Sequence, residues 1–212
     1  MEPRLVTLPN IIKSALTPKG AGPLVKGLYT LISSKPDKYR SIGSHLEAHA
    51  KKRPNSPAIR YLKDEFSYGQ VNAWVNRYSN YFLSQGIQPG ETIAINIENR
   101  TECLIAVLAV VKVGAIAAMI NTSQRGEVLL HSINLVKPKM MLIGEEQLDN
   151  LSTVQESLST ELKTQLYYLK DEGAIACPNY YQDMEVVSKG QSEENPGTTD
   201  KIQMKQPCFY IF

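Results

Sequence analysis

Apolar positions along this chain fall into two alternating periods. Between residues 67 and 86, Val71, Trp74, Val75, Tyr78 and Phe82 recur at i, i+3, i+4, i+7 and i+11, one face of a helix. Ser67 is placed to cap it and Gly86 to end it. After a Pro89-Gly90 turn, residues 92–97 change to period two, with Ile93, Ile95 and Ile97 on one face of a strand. Upstream, residues 41–52 read as helix, residues 58–62 as extended chain, and Lys63-Asp64-Glu65 as a polar turn. Downstream, Asn99 with Glu102 three residues later resembles a capping box for a helix over 103–113.

The same grammar then repeats. A strand over 115–121 leads to a helix near 127–135. A strand over 140–143 leads to a helix near 148–162, and a strand over 165–169 follows. Strand onsets roughly 22 to 26 residues apart, with helices between, predict right-handed crossovers into an α/β, doubly wound, mostly parallel sheet with helices on both faces. The polar, turn-rich stretch 190–200 reads as a surface loop that delivers the chain to a last strand, Cys208-Phe209-Tyr210-Ile211-Phe212. Such an unbroken apolar run predicts a buried strand, which needs a ladder partner on each side and a cover on each face. The sequence is therefore expected to continue beyond Phe212.

One apolar stretch, residues 103–120, has the eighteen residues a membrane span needs, broken by Lys112. Gly114 divides it. Leu104, Val107, Leu108 and Val111 before the glycine have helical spacing, and the small residues after it read as a strand, so a buried helix and a buried strand are expected. A single span remains the alternative.

Composition supports a soluble globular chain, with 42% hydrophobic residues and a net charge of +2 that gives no reason to expect a nucleic-acid partner. The charge is unevenly spread. Residues 1–40 hold seven Lys and Arg (Arg4, Lys13, Lys19, Lys26, Lys35, Lys38, Arg40) against Glu2 and Asp37, a local +5. Interleaved with Ile11, Ile12, Leu16, Leu24, Val25, Leu28, Leu31 and Ile32, they predict a basic amphipathic arm that lies on an anionic membrane surface or docks on another domain. The organisation expected is this arm, 1–40, and an incomplete N-terminal α/β subdomain, 41–212. Three widely spaced cysteines (Cys103, Cys177, Cys208) without a C-x-x-C, and an N-terminus without an apolar signal segment, point to reduced thiols in a cytoplasmic, peripherally membrane-associated protein.

Several segments in order carry a resemblance: Phe66-Ser67-Tyr68 through Gly86; Gln88-Pro89-Gly90-Glu91-Thr92-Ile93-Ala94-Ile95; Asn99-Arg100-Thr101-Glu102; Lys112-Val113-Gly114-Ala115; and Ile120-Asn121-Thr122-Ser123-Gln124-Arg125-Gly126-Glu127 continuing through His131 to Ile133. Together they resemble the N-terminal part of the adenylate-forming acyl-CoA synthetases. The stretch from Asn121 to His131 resembles the long- and very-long-chain fatty acyl-CoA synthetases of the fatty acid transport protein type. The resemblance implies a parent enzyme that makes an acyl-adenylate from a fatty acid and ATP and passes the acyl group to CoA, with ATP, Mg and CoA as cofactors. It also implies a phosphate-grasping loop directly after a strand like residues 208–212, and a magnesium-binding acid and a mobile lid later still. No catalytic, nucleotide-binding or metal residue is carried over onto this chain, which is expected to be inactive alone. Three other readings stay open: a pseudo-enzyme, a membrane-associated fatty acid uptake or binding protein, and an adenylate-former for aryl or amino acids. A second copy of the chain is a further candidate partner.

Individual candidates are few. Arg125, following a strand C-terminus, and His131 are candidate contacts for an anion or for CoA. Asn195-Pro196-Gly197-Thr198-Thr199 superficially resembles a phosphate loop but lacks the preceding strand and following helix. Gly20-Ala21-Gly22-Pro23 reads as a turn. His45 and His49 are i, i+4 without an evident third metal ligand, which favours a solvated helix face. The pairs Glu145-Glu146 and Glu193-Glu194 read as solvated surface.

Overall fold

The computed structural model describes residues 18–33, 35–173 and 175–212, in two compact units, Met1–Lys38 and Tyr39–Phe212. In the first unit, α1 (Pro18–Ser33) carries exposed Val25, Leu28 and Tyr29. The turn expected at Gly20-Ala21-Gly22-Pro23 is instead helix. Pro23 falls early in α1, where its missing N–H removes a single intrahelical bond. The apolar positions of the arm upstream of Pro18 lie outside the described residues.

The second unit contains α2 (Ile42–Lys52), β1 (Pro57–Tyr61), β2 (Asp64–Ser67), α3 (Tyr68–Ser84), β3 (Thr92–Asn96), α4 (Thr101–Lys112), β4 (Ile116–Met119), α5 (Gly126–Val136), β5 (Met140–Gly144), α6 (Leu148–Ser152), α7 (Thr160–Lys163), β6 (Leu166–Leu169), β7 (Gln182–Asp183), α8 (Met184–Ser188) and β8 (Phe209–Ile211). The six strands from β3 onward form one parallel sheet in the order β7-β6-β5-β3-β4-β8. This is the α/β architecture the sequence predicts.

Alternation along each strand divides the core into two layers. Ile93, Ile95, Met140, Leu142, Tyr167 and Leu169 face a cluster completed by α2, α3, α4 and α8. Ala94, Met141, Ile143, Leu166 and Tyr168 face a second one completed by α5, α6 and α7. Burial on both faces explains why these strands are almost wholly apolar. The predicted Ser67 cap forms, as a capping box of Ser67 and Gln70 at α3, and Ser41 and Ser44 make a second box at α2 that the sequence reading did not name. Gly114, at φ +79°, turns the chain from α4 into β4, which ends the membrane-span alternative for residues 103–120. No helix among the described residues is long and apolar enough to cross a membrane.

Other expectations need correction. The polar turn at 63–65 is a tighter hairpin: Tyr61 pairs with Asp64, Leu62 turns at φ +51°, and Glu65 lies in β2 opposite Arg60, with which it forms an ion pair. The Asn99–Glu102 capping box does not form, because Glu102 pairs with Arg100, the residue at the α4 N-cap. The helix expected over 148–162 is broken. Leu148, Leu151, Val154, Leu158 and Leu162 are buried at helical spacing, but the Ser152 and Thr153 hydroxyls donate back to the Asp149 and Asn150 carbonyls, and Ser159 caps a fresh helix, α7. The last strand forms but is not buried. It is the sheet edge beside β4, and Tyr210 and Ile211 are exposed there.

Candidate functional site

β3 leads to its neighbour β4 through a helix on one face of the sheet, and its other neighbour β5 leads the opposite way, to β6, through helices on the other face, so the C-terminal ends of β3 and β5 form the topological switch point, where open α/β sheets gather ligands. Of the four buried side-chain polar atoms lacking a hydrogen-bond partner among the described residues, three lie in this part of the chain, Asn96 Oδ1 at the end of β3, Arg100 Nε in the segment after it and Gln124 Oε1 in the segment after β4, while the fourth, Glu47 Oε1, faces Lys112 from α2. Buried polar atoms are ordinarily paired, so orphans in one region mark a surface prepared for another group.

Arg100 organises this edge. Its side chain is 3% exposed and donates to the Leu169 carbonyl at 3.1 Å and the Lys170 carbonyl at 3.0 Å, tying the end of β6 to the start of α4. Glu102 lies 2.6 Å away and Glu146 3.5 Å, with Asp171 at 4.0 Å. Burial alone would push the guanidinium down, but the three carboxylates outweigh it and hold Arg100 above its ordinary value. The Glu145-Glu146 pair, expected to be solvated, belongs to the same edge. Glu145 is buried and accepts from Tyr168 Oη at 3.2 Å, Asp171 N at 2.8 Å and Ile175 N at 3.0 Å. Burial opposes its ionisation, yet these donors hold its carboxyl below the ordinary range. Glu146 accepts from Glu98 N at 2.7 Å.

Arg125 is the N-cap of α5, and its Nη1 donates to the loop's own Thr122 and Gln124 carbonyls at 2.6 and 2.7 Å. His131 is on the exposed side of α5, away from buried Leu129, Ser132 and Ile133. No hydrogen bond joins the two among the described residues. His49 stacks on Tyr68 with ring centroids 5.3 Å apart, while His45 accepts from Arg40. Glu47 turns inward to Lys112, and no cluster of three metal-ligating side chains exists among the described residues.

Sequence reasoning missed the most buried charge among the described residues. Lys112 is fully buried and donates to Asn76 Oδ1 at 2.5 Å, Asn72 Oδ1 at 2.8 Å and Asn195 Oδ1 at 3.1 Å, with the Glu47 carboxylate at 3.1 Å. Gly43 permits this approach, since a Cβ there would meet Lys112 Cγ at 3.1 Å. The loop carrying Asn195 is thereby locked against α3 and α4. Thr198 and Thr199 turn their hydroxyls to the Lys112 carbonyl, so the segment 195–199 is a structural clasp. Glu193 of the neighbouring acidic pair is also engaged, by Arg77 at 2.9 Å. The available signal was a lysine inside an apolar helix, which must either snorkel or find partners.

The AMP-binding enzyme family matches residues 46–212. The chain belongs to this family. Among curated relatives, this AMP-binding chain is 31% identical over 189 residues to the medium/long-chain-fatty-acid–CoA ligase FadD6 of Mycobacterium tuberculosis, covering 89% of the chain and 30% of the relative. It is 26% identical over 170 residues to long-chain fatty acid transport protein 6 of Homo sapiens, covering 78% and 26%. The chain thus spans under a third of the length of these relatives. Among solved structures, an anthranilate CoA ligase, AuaEII, in complex with anthranoyl-AMP superposes with a TM-score of 0.68 at 19% identity, over 81% of this chain and 32% of that one. At that identity the likeness is one of fold.

AMP-binding enzymes use ATP, Mg and CoA. The switch-point residues of this chain do not fit the phosphate. Their unpaired atoms are two acceptors, Asn96 Oδ1 and Gln124 Oε1, and a single donor, Arg100 Nε, whereas a phosphate chain needs converging donors.

Proposed function

We propose that this chain forms the N-terminal α/β subdomain of an ATP-dependent long-chain fatty acyl-CoA ligase, which makes an acyl-adenylate and then a thioester with CoA. In this reading residues 41–212 supply a rigid sheet and its C-terminal edge, and residues outside the chain supply the phosphate donors and the metal ligand. One observation carries the choice of a fatty acid: the fatty-acid–CoA ligase FadD6 aligns over 89% of the chain at 31% identity. The likeness to an anthranilate ligase is one of fold and does not favour an aryl substrate.

The role of this chain's residues is positional. Arg100 clamps the ends of β3 and β6 together, and Glu145 and Glu146 hold the segments after β5 and β6, which fixes the edge on which substrate would rest. Arg125, at the start of α5, and His131, on its exposed side, are assigned as contacts for an anion or for CoA. The basic arm, residues 1–40, rests on an anionic membrane surface at the cytoplasmic face, where insoluble fatty acid partitions. The exposed Val25, Leu28 and Tyr29 of α1 and the arm's +5 charge support this.

Expressing the whole reading frame that carries this chain and measuring thioester formation from palmitate, anthranilate and phenylalanine tests the reading. Palmitate is expected to be the preferred acid. Preference for anthranilate or phenylalanine would replace the fatty acid by an aryl or amino acid.

A further inference from the structure

Beside the N-terminal ends of β4 and β8, far along the strands from the switch point, a pocket of about 400 Å³ opens between the start of α2, the end of α4 and the segment 202–208. Its wall is built. Arg40 N donates to the Ile202 carbonyl at 3.1 Å, Tyr39 and Gln203 form an antiparallel bridge, and Gln203 and Gln206 close a turn, Gln203 N donating to Gln206 Oε1 at 2.7 Å. Ile42, Val111, Ile202, Met204 and Cys208 give an apolar lining. The volume lies near the lower end of the roughly 300–1,000 Å³ of small-molecule sites, which favours one acyl chain over two.

One end of this pocket is cationic. Arg40 lies in its lining and donates from Nε to His45 Nε2 at 2.7 Å, and no carboxylate of residues 39–212 is within ion-pair distance of it. Accepting that bond requires a neutral imidazole, and desolvation, the Arg40 cation and His49 all depress the basicity of His45. Arg40 and Ser41 also sit at the N-terminus of the eleven-residue helix α2, whose dipole adds partial positive charge. A charged guanidinium with no carboxylate of residues 39–212 in ion-pair range, beside an apolar cavity, is complementary to a molecule with an anionic head and a hydrocarbon tail.

We propose that this pocket binds a single-chain amphiphile with an anionic head, the head held by Arg40 at the start of α2 and the tail lodged among Ile42, Val111, Ile202 and Met204. The site is separate from the switch-point edge. It rests on its own lining and does not depend on the ligase reading.

The purified chain titrated with 11-(dansylamino)undecanoate, below the probe's micellar range, tests this through probe fluorescence and its displacement by laurate or dodecan-1-ol. A single saturable site is expected, with laurate displacing the probe at about tenfold lower concentration than the alcohol, since one charge-assisted hydrogen bond is lost with the carboxylate. Arg40→Gln should erase the preference for laurate, Arg40→Lys should keep most of it, and Met204→Trp, which fills the cavity, should weaken laurate and dodecanol alike. Arg40 and Met204 both retain solvent exposure, so these variants leave the core intact. Unsaturable binding, equal potency of laurate and dodecanol, or insensitivity to either the Arg40→Gln or the Met204→Trp change would each overturn the proposal.

Discussion

Asn195 Oδ1 accepts from Lys112 Nζ at 3.1 Å across 83 residues of sequence, and the same oxygen accepts from Asn72 and Asn76 at 2.9 and 3.0 Å. A solvent loop is thereby made part of the core. Removing the ammonium leaves the Asn72 and Asn76 amide oxygens and the Glu47 carboxylate short of a donor, and breaking a buried charge pair costs about 3–5 kcal/mol. Lys112→Met should therefore lower the unfolding free energy of the chain, read from its urea midpoint, by that order, and adding Glu47→Gln should recover part of the loss. An unchanged midpoint would show that the clasp contributes nothing.

Glu145 makes a prediction for acid. Its folded-state ionisation is favoured over the unfolded state, so its contribution is present above the ordinary carboxylate range and lost as pH falls through the depressed folded value. The segment 170–176, which its carboxylate holds through Asp171 N and Ile175 N, should exchange its amides faster in acid before the sheet does. Gly173→Ala should have the same effect at neutral pH, because a Cβ there collides with the Glu145 carboxylate. Unaltered exchange in both conditions would contradict the assigned anchor.

Alkali should act through the tyrosines. Burial, the largest cause in each case, pushes the phenols of Tyr78, Tyr167, Tyr168 and Tyr181 above their ordinary value of 10, Tyr181 to about 12. A raised folded value means that the stabilisation is complete below pH 10 and declines as pH rises beyond it. Lys112 runs the other way: burial depresses it, so its penalty is relieved as pH climbs toward its ordinary 10.5. Four groups outweigh one, and the urea midpoint should fall between about pH 9 and about pH 11, less so in Tyr181→Phe. A rising midpoint would mean that the phenols are solvated.

Legibility of this fold followed the range of each signal. Local ones were complete in the sequence: the Ser67 cap, the Gly114 break, the face of α3 and the alternation in β3. Signals that depend on distant partners were not. Lys112 meets residues 40 and 83 positions away, and Arg100 reaches carbonyls 69 and 70 positions on, so the apolar neighbours of Lys112 mark it as unusual but nothing nearby names the partners of either residue. Glu145-Glu146 looked solvated for the same reason. The candidate edge was legible only as the end of a strand, and Arg125 proved to be bonded to its own loop.

Edge strand β8 should drive self-association. Ile211 is 79% exposed and Tyr210 41%, on a strand whose outer side pairs with nothing among the described residues. Ile211→Lys should reduce the sedimenting fraction of the purified chain without shifting its unfolding midpoint, since an inserted charge discourages edge-to-edge pairing. Equal sedimentation of parent and variant would place the sticky surface elsewhere.

The basic arm should bind vesicles containing anionic lipid and let go as salt rises, because its attraction decays over a Debye length of roughly 10 Å at 0.1 M. Deleting residues 1–40 should abolish this binding. Retention by the shortened chain, or binding that survives high salt and alkaline extraction, would contradict a surface-lying arm.

Carboxylate-dependent exchange of labelled pyrophosphate into ATP tests the central claim most directly. Adenylation relies on converging phosphate donors and a metal, and the switch-point edge of this chain offers a single unpaired donor, Arg100 Nε, among its buried orphans. The account predicts palmitate-dependent exchange by the protein made from the whole reading frame and none by residues 1–212 alone. Exchange by residues 1–212 would put the nucleotide site inside this chain, and its absence from the whole protein with every acid tried would contradict the ligase assignment.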